Sequence, residues 1–270
     1  MKLIESSVQI IEEKDPYKMI ELAGRTCYKS EDKTTENSAK EFVDRMIKLG
    51  HGAMLEHGTI YLKIDKTEDG HLPPARLYWS DGNHKKYTRV RKHGNSIYVT
   101  TNLRVIVENN RLDDLQYQVD PTEHHEKRIT VKFICDRGVS HEFVRHRVFS
   151  FAQESQRYCN YSKDKFNNEI TFIMPSWWNY NSSIIESGER YFCEILQKCE
   201  DYYKSLLDMG YKPQEARVVL PNATKTELVM TGFESDWEHF LSLRTSKNAH
   251  PDAQKLANEL KELLTNVKNN

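Results

Sequence analysis

The chain has 270 residues, 38% hydrophobic and 29% charged, with a formal net charge of −1. That is a globular composition, and the length suits one large domain or two small ones. A balance so near zero argues against a general nucleic-acid or membrane-surface binder, which carries a basic excess, so any cationic site must be local.

The opening MKLIESSVQIIEEKDPYKMI holds no apolar run of signal-peptide length, and no stretch of about 18 apolar residues occurs further on, so no membrane span is expected. Five cysteines (Cys27, Cys135, Cys159, Cys193, Cys199) are odd in number, widely spaced and without a C-x-x-C pair. Reduced thiols in a cytosol fit that pattern better than a disulfide framework, and a cytoplasmic location is expected. The 11 histidines form no H-E-x-x-H motif or Cys/His quartet, so no metal is expected.

In chain order, NSAKEFVDRMIKLG predicts a helix. Ser38 and Glu41 have capping-box spacing, Phe42, Val43, Met46 and Ile47 form one apolar face, and Gly50 ends it. Ile60, Leu62 and Ile64 then alternate as a strand. Residues 65–94 are polar and turn-rich, with basic residues among Tyr78, Trp79 and Tyr87. Such a composition can bind nucleic acid, but a solvated excursion ending in a Gly94–Asn95 turn is the preferred reading. SIYVTTNLRVIVE and RITVKFICD predict strands. The second half reads helical: ERYFCEILQKCEDYYKSLLDMG ended by Gly210, a short PQEARVVLP helix opened by Pro213, ESDWEHFLSLR with a Ser235–Glu238 capping box, and HPDAQKLANELKELLTNV. Strands early and helices late predict an α+β single domain over 1–270, an antiparallel-rich sheet flanked by helices.

The chemistry concentrates in RHRVFSFAQESQRY. Arg145 and Arg147 are permanent cations with planar donor forks suited to phosphate or a carbonyl-rich ring, and His146 adds a donor or a stacking face. Ser155 and Arg157, two residues apart, would share a face on an extended segment and clamp a phosphate. Arg217 and Arg244 each follow apolar residues in helices. Each alone could be a helix-end cation complementing the macrodipole; the whole cluster asks for anions.

RHR, seven residues, then Ser155, extended by SQRY, resembles the motif of flavin-dependent thymidylate synthases. RTCYKS (25–30), GHGAMLEH (50–57), EARVVLP (215–221) and TGFESDWEHFLSLR (231–244) resemble further blocks of that family, in family order. Residues 65–125 look like an insertion relative to compact members. The resemblance implies methylation of dUMP at C5 to dTMP, with methylenetetrahydrofolate as carbon donor and NADPH reducing a bound FAD. It implies a homotetramer with shared active sites, and no nucleic-acid or membrane partner. By position, Arg145, His146 and Arg147 resemble FAD contacts, Arg145 also reaching the nucleotide. His51, Glu56 and His239 resemble flavin-side positions. Gln153, Ser155, Gln156 and Arg157 resemble the dUMP strip, Gln153 lying near flavin as well. Glu142 and Arg217 fall at nucleotide contacts, and Arg244 at the residue polarising the pyrimidine at N3.

The chain departs from the family at Glu142, where Gln is common, and at Ala152-Gln153, where Asn-Glu is common. Phe233 and Ser235 stand at flavin contacts that are often Asn and Arg; Phe233 would stack on adenine or simply pack. No G-x-G-x-x-G opens a helix, so a Rossmann-type FAD site is not expected. A nucleotide- or nucleic-acid-binding module, and a catalytically degenerate member, are the competing readings.

Overall fold

The computed structural model describes residues 1–80, 87–178 and 187–269. Its strands are β1 Lys2–Ile4, β2 Ser7–Ile11, β3 Thr59–Asp65, β4 Arg89–His93, β5 Ser96–Asn102, β6 Arg128–Asp136, β7 Ser150–Gln153, β8 Thr171–Ile173 and β9 Lys225–Phe233. Its helices are α1 Pro16–Tyr28, α2 Ser38–Lys48, α3 Gly52–Leu55, α4 Pro74–Ser80, α5 Leu103–Glu108, α6 Arg137–Phe143, α7 Ser187–Asp208, α8 Pro213–Ala216, α9 Glu234–Arg244 and α10 Pro251–Asn269.

The α+β, antiparallel-rich architecture expected from the sequence is present, spread over three sheets. A four-stranded antiparallel sheet runs β2-β6-β9-β7, a three-stranded antiparallel sheet runs β3-β5-β4, and β1 pairs with β8 in parallel. Alternation along β9 explains how the central sheet is covered on both sides. Leu228 and Met230 join Phe133, Trp237, Phe240, Leu256 and Leu260 under α9 and α10. Val229 faces the other way, onto Ala23 of α1 and Ala152 of β7. The smaller sheet packs Ile60, Leu62, Ile64, Ile97 and Val99 against Phe42, Val43 and Met46 of α2.

Four local expectations are corrected. Only 96–102 of SIYVTTNLRVIVE is strand; Asn102 Oδ1 accepts the N–H of Val105 at 3.1 Å and starts α5, a side-chain cap overriding the β-branched run. The 65–94 excursion is not simply solvated. α4 buries Trp79, whose Nε1–H donates to Asp114 at 2.9 Å, and Arg76, which donates to the carbonyls of Ile64 and Asn95 at 2.7 Å each. Its residues 81–86, part of the polar, basic stretch read from the sequence, lie outside the described residues. The Gly94 turn is as expected, with φ +56 between β4 and β5.

Neither capping box forms. Ser38 lies inside α2, and its Oγ bonds the Thr35 N–H and the Glu21 carboxylate. At α9 the cap lies two residues earlier, at Phe233, so Asp236 accepts the Phe233 N–H at 3.2 Å while Ser235 donates to Glu126 at 2.5 Å. Lastly, the extended segment stops at Gln153. Ser155–Tyr158 is a turn in which the Ser155 carbonyl accepts the N–H groups of Tyr158 and Cys159 at 3.2 and 2.9 Å.

Candidate functional site

α9 buries Trp237 and Phe240 in the core and brings Arg244 to its last turn, where a cation suits the dipole. α6 starts on Asp136, whose carboxylate accepts the Val139 N–H at 2.7 Å, and ends in the turn carrying Arg145-His146-Arg147. The two elements converge. Arg244 donates from Nε to His146 Nε2 at 2.9 Å, from Nη1 to Glu142 Oε2 at 2.5 Å and from Nη2 to the Glu142 carbonyl at 2.7 Å. Accepting at Nε2 places the proton of neutral His146 on Nδ1. Burial first, then Arg244 and His239, push the His146 imidazolium down to about 4, so the ring is neutral near pH 7. It packs against Phe240 at 4.9 Å between ring centres, with His239 6.5 Å away. Arg145 and Arg147 are exposed, and no ion pair holds either among the described residues.

Beside this clamp lies the 153–158 segment. Gln153 Nε2 donates to Ser140 Oγ at 2.9 Å and Thr226 Oγ1 at 3.2 Å. Ser155 is tied to α1 by its N–H, which donates to the Cys27 carbonyl at 2.9 Å, and its Oγ accepts the Arg157 N–H at 3.3 Å. The turn, rather than a shared strand face, is what brings Ser155 and Arg157 together. Gln156 is buried with its Nε2 lacking a hydrogen-bond partner among the described residues. Arg157 is exposed, its guanidinium 5.4 Å from the Tyr158 ring centre. Cys159 is fully buried, and burial, reinforced by Glu154, pushes its thiol up to about 12.

The remaining expected residues sit apart in contact terms. His51, exposed, precedes α3; Glu56 follows it and pairs with Arg104 at 2.6 Å. Arg217 is exposed in the 3-10 turn after α8, and His239 is exposed on α9. The structure thus joins Glu142, His146 and Arg244 directly, places His239 beside them, and gathers Gln153, Ser155, Gln156 and Arg157 in one turn. Phe233 is buried and packs, with Arg89 and Arg128 4.2 and 5.6 Å from its ring centre.

Sequence reasoning missed a polar layer behind these residues. Arg128 donates to the Glu56 carbonyl at 2.9 Å, Thr59 at 3.2 Å and Ser150 at 3.2 Å, and burial pushes it down to about 10. His57 is fully buried, its Nδ1 2.8 Å from Thr231 Oγ1, which lies 2.8 Å from Thr130 Oγ1. Burial, then Arg128, push His57 down to about 3. Polar residues within strand patterns were the available signal, since an inward Thr or Arg needs a buried partner.

A cavity of about 260 Å³ lined by Met19, His57, Tyr61, Arg128 and Thr130 includes neither Arg244 nor Ser155. No cluster of three or more His, Cys, Asp or Glu able to hold a metal occurs among the described residues, and no described helix is long and apolar enough to cross a membrane.

The profile of the thymidylate synthase complementing protein family matches residues 9–69 and 115–268. A protein named flavin-dependent thymidylate synthase from Corynebacterium efficiens is 30% identical over 202 residues, 68% of this chain and 78% of that one. One of the same name from Geobacter sulfurreducens is 34% identical over 131 residues, 48% of this chain and 53% of that one. The chain spans about half the length of several curated relatives, the Geobacter protein among them. A crystal structure described as the UMP/dUMP methylase PolB from Streptomyces cacaoi bound with 5-Br dUMP aligns with a TM-score of 0.46 and 17% identity, covering 98% of this chain and 93% of that one. Likeness at that level carries no functional argument.

Proposed function

Because the chain belongs to the thymidylate synthase complementing protein family, we propose that it is a flavin-dependent methyltransferase converting dUMP to dTMP. Methylenetetrahydrofolate would supply the carbon and NADPH the reducing equivalents. The observation that carries the reading is the Arg244 clamp. A guanidinium has five N–H donors, and Arg244 commits three of them to Glu142 and His146. One N–H on each terminal nitrogen is left, aimed by a rigid support. Such a pair suits a pyrimidine whose N3 and carbonyls gain negative charge as C5 becomes nucleophilic. Arg244 cannot act as an ordinary base, so its role is to stabilise that charge, an effect worth ~3–4 kcal/mol in water-excluded sites.

The donor set fits FAD. Arg145 and Arg147 are exposed cations with no internal ion pair among the described residues, and neutral His146 lies between them in sequence. They would hold the pyrophosphate, with His51, Glu56 and His239 on the flavin side. When bound, FAD supplies the redox chemistry, and the protein supplies orientation. Ser155, Gln156 and Arg157, with Arg217, would take the nucleotide phosphate; Gln153 and Glu142 border the base and flavin. Since Arg145, Arg147, Arg157 and Arg217 are all exposed on one protomer, a second wall is needed, which supports a homotetramer with shared sites. The break in the family match between residues 69 and 115 supports an insertion within a single catalytic domain.

The test is the spectrum of the purified protein. A visible flavin absorption band, with FAD released on denaturation, is expected, with a tetramer by light scattering. A folded protein that neither carries nor takes up FAD would defeat the proposal.

A further inference from the structure

Behind the Ser155 turn lies a buried charge network. Glu227 of β9 pairs with Lys29 at 2.8 Å, Lys225 at 2.5 Å and Lys132 at 2.5 Å. Lys225 also reaches Glu154 at 2.8 Å, and the Tyr161 hydroxyl donates to the other Glu154 oxygen at 3.0 Å. Both carboxylates are buried. Burial alone would drive Glu227 towards its neutral form, but Lys225, then Lys132 and Lys29, hold its carboxyl well below the usual range.

The lysines come from three places: Lys29 caps the C-terminus of α1, Lys132 lies in β6 and Lys225 in β9. Glu227 also accepts the Glu154 N–H on its carbonyl at 2.9 Å, one residue before Ser155 is fastened to Cys27 of α1. Lys29 itself adopts a left-handed backbone, φ 48 and ψ 55, which an L residue with a long side chain disfavours. Its ammonium is held by Glu227 and Glu31. A strained residue kept in place by an ion pair to a buried carboxylate, next to a turn of donors, points to a geometry maintained for use.

We propose that Glu227 is a positioning residue for a nucleotide phosphate. It locks the end of α1 to the β7 turn so that Ser155 and Arg157 present one fixed anion site. This rests on the nucleotide reading above. Fixing the donors beforehand lowers the ordering cost of binding, so losing the lock weakens phosphate capture selectively.

The experiment is calorimetric titration of the flavin-loaded protein with dUMP and with deoxyuridine, which lacks the phosphate. Glu227→Gln is expected to weaken dUMP about tenfold while leaving deoxyuridine unchanged, and Glu227→Asp to recover part of the loss. Equal dUMP affinity in Glu227→Gln, or equal loss for both ligands, overturns the assignment. Wild-type protein binding dUMP no better than deoxyuridine would remove the nucleotide-phosphate reading and this inference with it. Should Glu227→Gln not fold, Tyr161→Phe removes only one hydroxyl; a dUMP-selective loss of about twofold is expected, and no loss counts against the network.

Discussion

Arg244→Gln removes the guanidinium while keeping a shorter, neutral polar side chain. Three hydrogen bonds are lost, one to His146 and two to Glu142, one of these to its carboxylate. In this pair the Arg244 side chain is 17% and the Glu142 side chain 30% exposed, so water reaches the abandoned groups and softens the loss. Charge-assisted bonds discounted for that access give about 1–3 kcal/mol, or roughly 2–10 °C in Tm for a chain of this size. His146 should respond as well. Its pKa is held at about 4 by burial and then by Arg244, so removing Arg244 should move it up towards its ordinary value. Turnover should fall about 10²–10³-fold if Arg244 stabilises charge on the pyrimidine. Proton NMR titration of His146, thermal unfolding and steady-state kinetics read the three effects separately. An unmoved His146 titration together with turnover within about threefold of wild type would refute the clamp argument.

Cys159→Ser should retain substantial turnover, because a fully buried thiol pushed up to about 12 supplies no thiolate; a dUMP adduct on Cys159 by mass spectrometry would contradict this. His57 is neutral when folded, with its pKa near 3 against an unfolded value of about 6.5. Between those values the unfolded chain binds a proton that the folded chain refuses, so stability falls as pH falls, by up to about 1.4 kcal/mol per unit. His57→Gln should flatten that acid limb, and an equally steep limb in the variant would count against the assignment. Trp79→Ala should cost about 3–5 kcal/mol in urea unfolding, since α4 is part of a core, whereas trimming the exposed residues 66–72 should be tolerated; the opposite ranking would restore a solvated excursion.

The helical amphipathicity of α2, α7 and α10 and the alternation of β3 were legible because one face of each meets a core. What failed were decisions made by single polar side chains. Asn102 ended a strand that Val105, Ile106 and Val107 would otherwise extend. Ser38 and Ser235 had cap spacing but found Glu21 and Glu126 instead, long-range partners that local spacing cannot reveal. At the site, residue types gave the cationic cluster, and the family resemblance gave the roles. Neither foresaw that Glu142 would grip Arg244, since 102 residues separate them in sequence. The lysines around Glu227 were equally hidden, being scattered over α1, β6 and β9.

The most direct test of the account is an anaerobic assay of the flavin-loaded protein with dUMP, methylenetetrahydrofolate and NADPH. The expected product is dTMP carrying the methylene carbon of the folate, formed in wild type and nearly lost in Arg244→Gln. A folded, FAD-bound protein that oxidises NADPH yet forms no dTMP, or an Arg244→Gln variant that forms it at the wild-type rate, would contradict it.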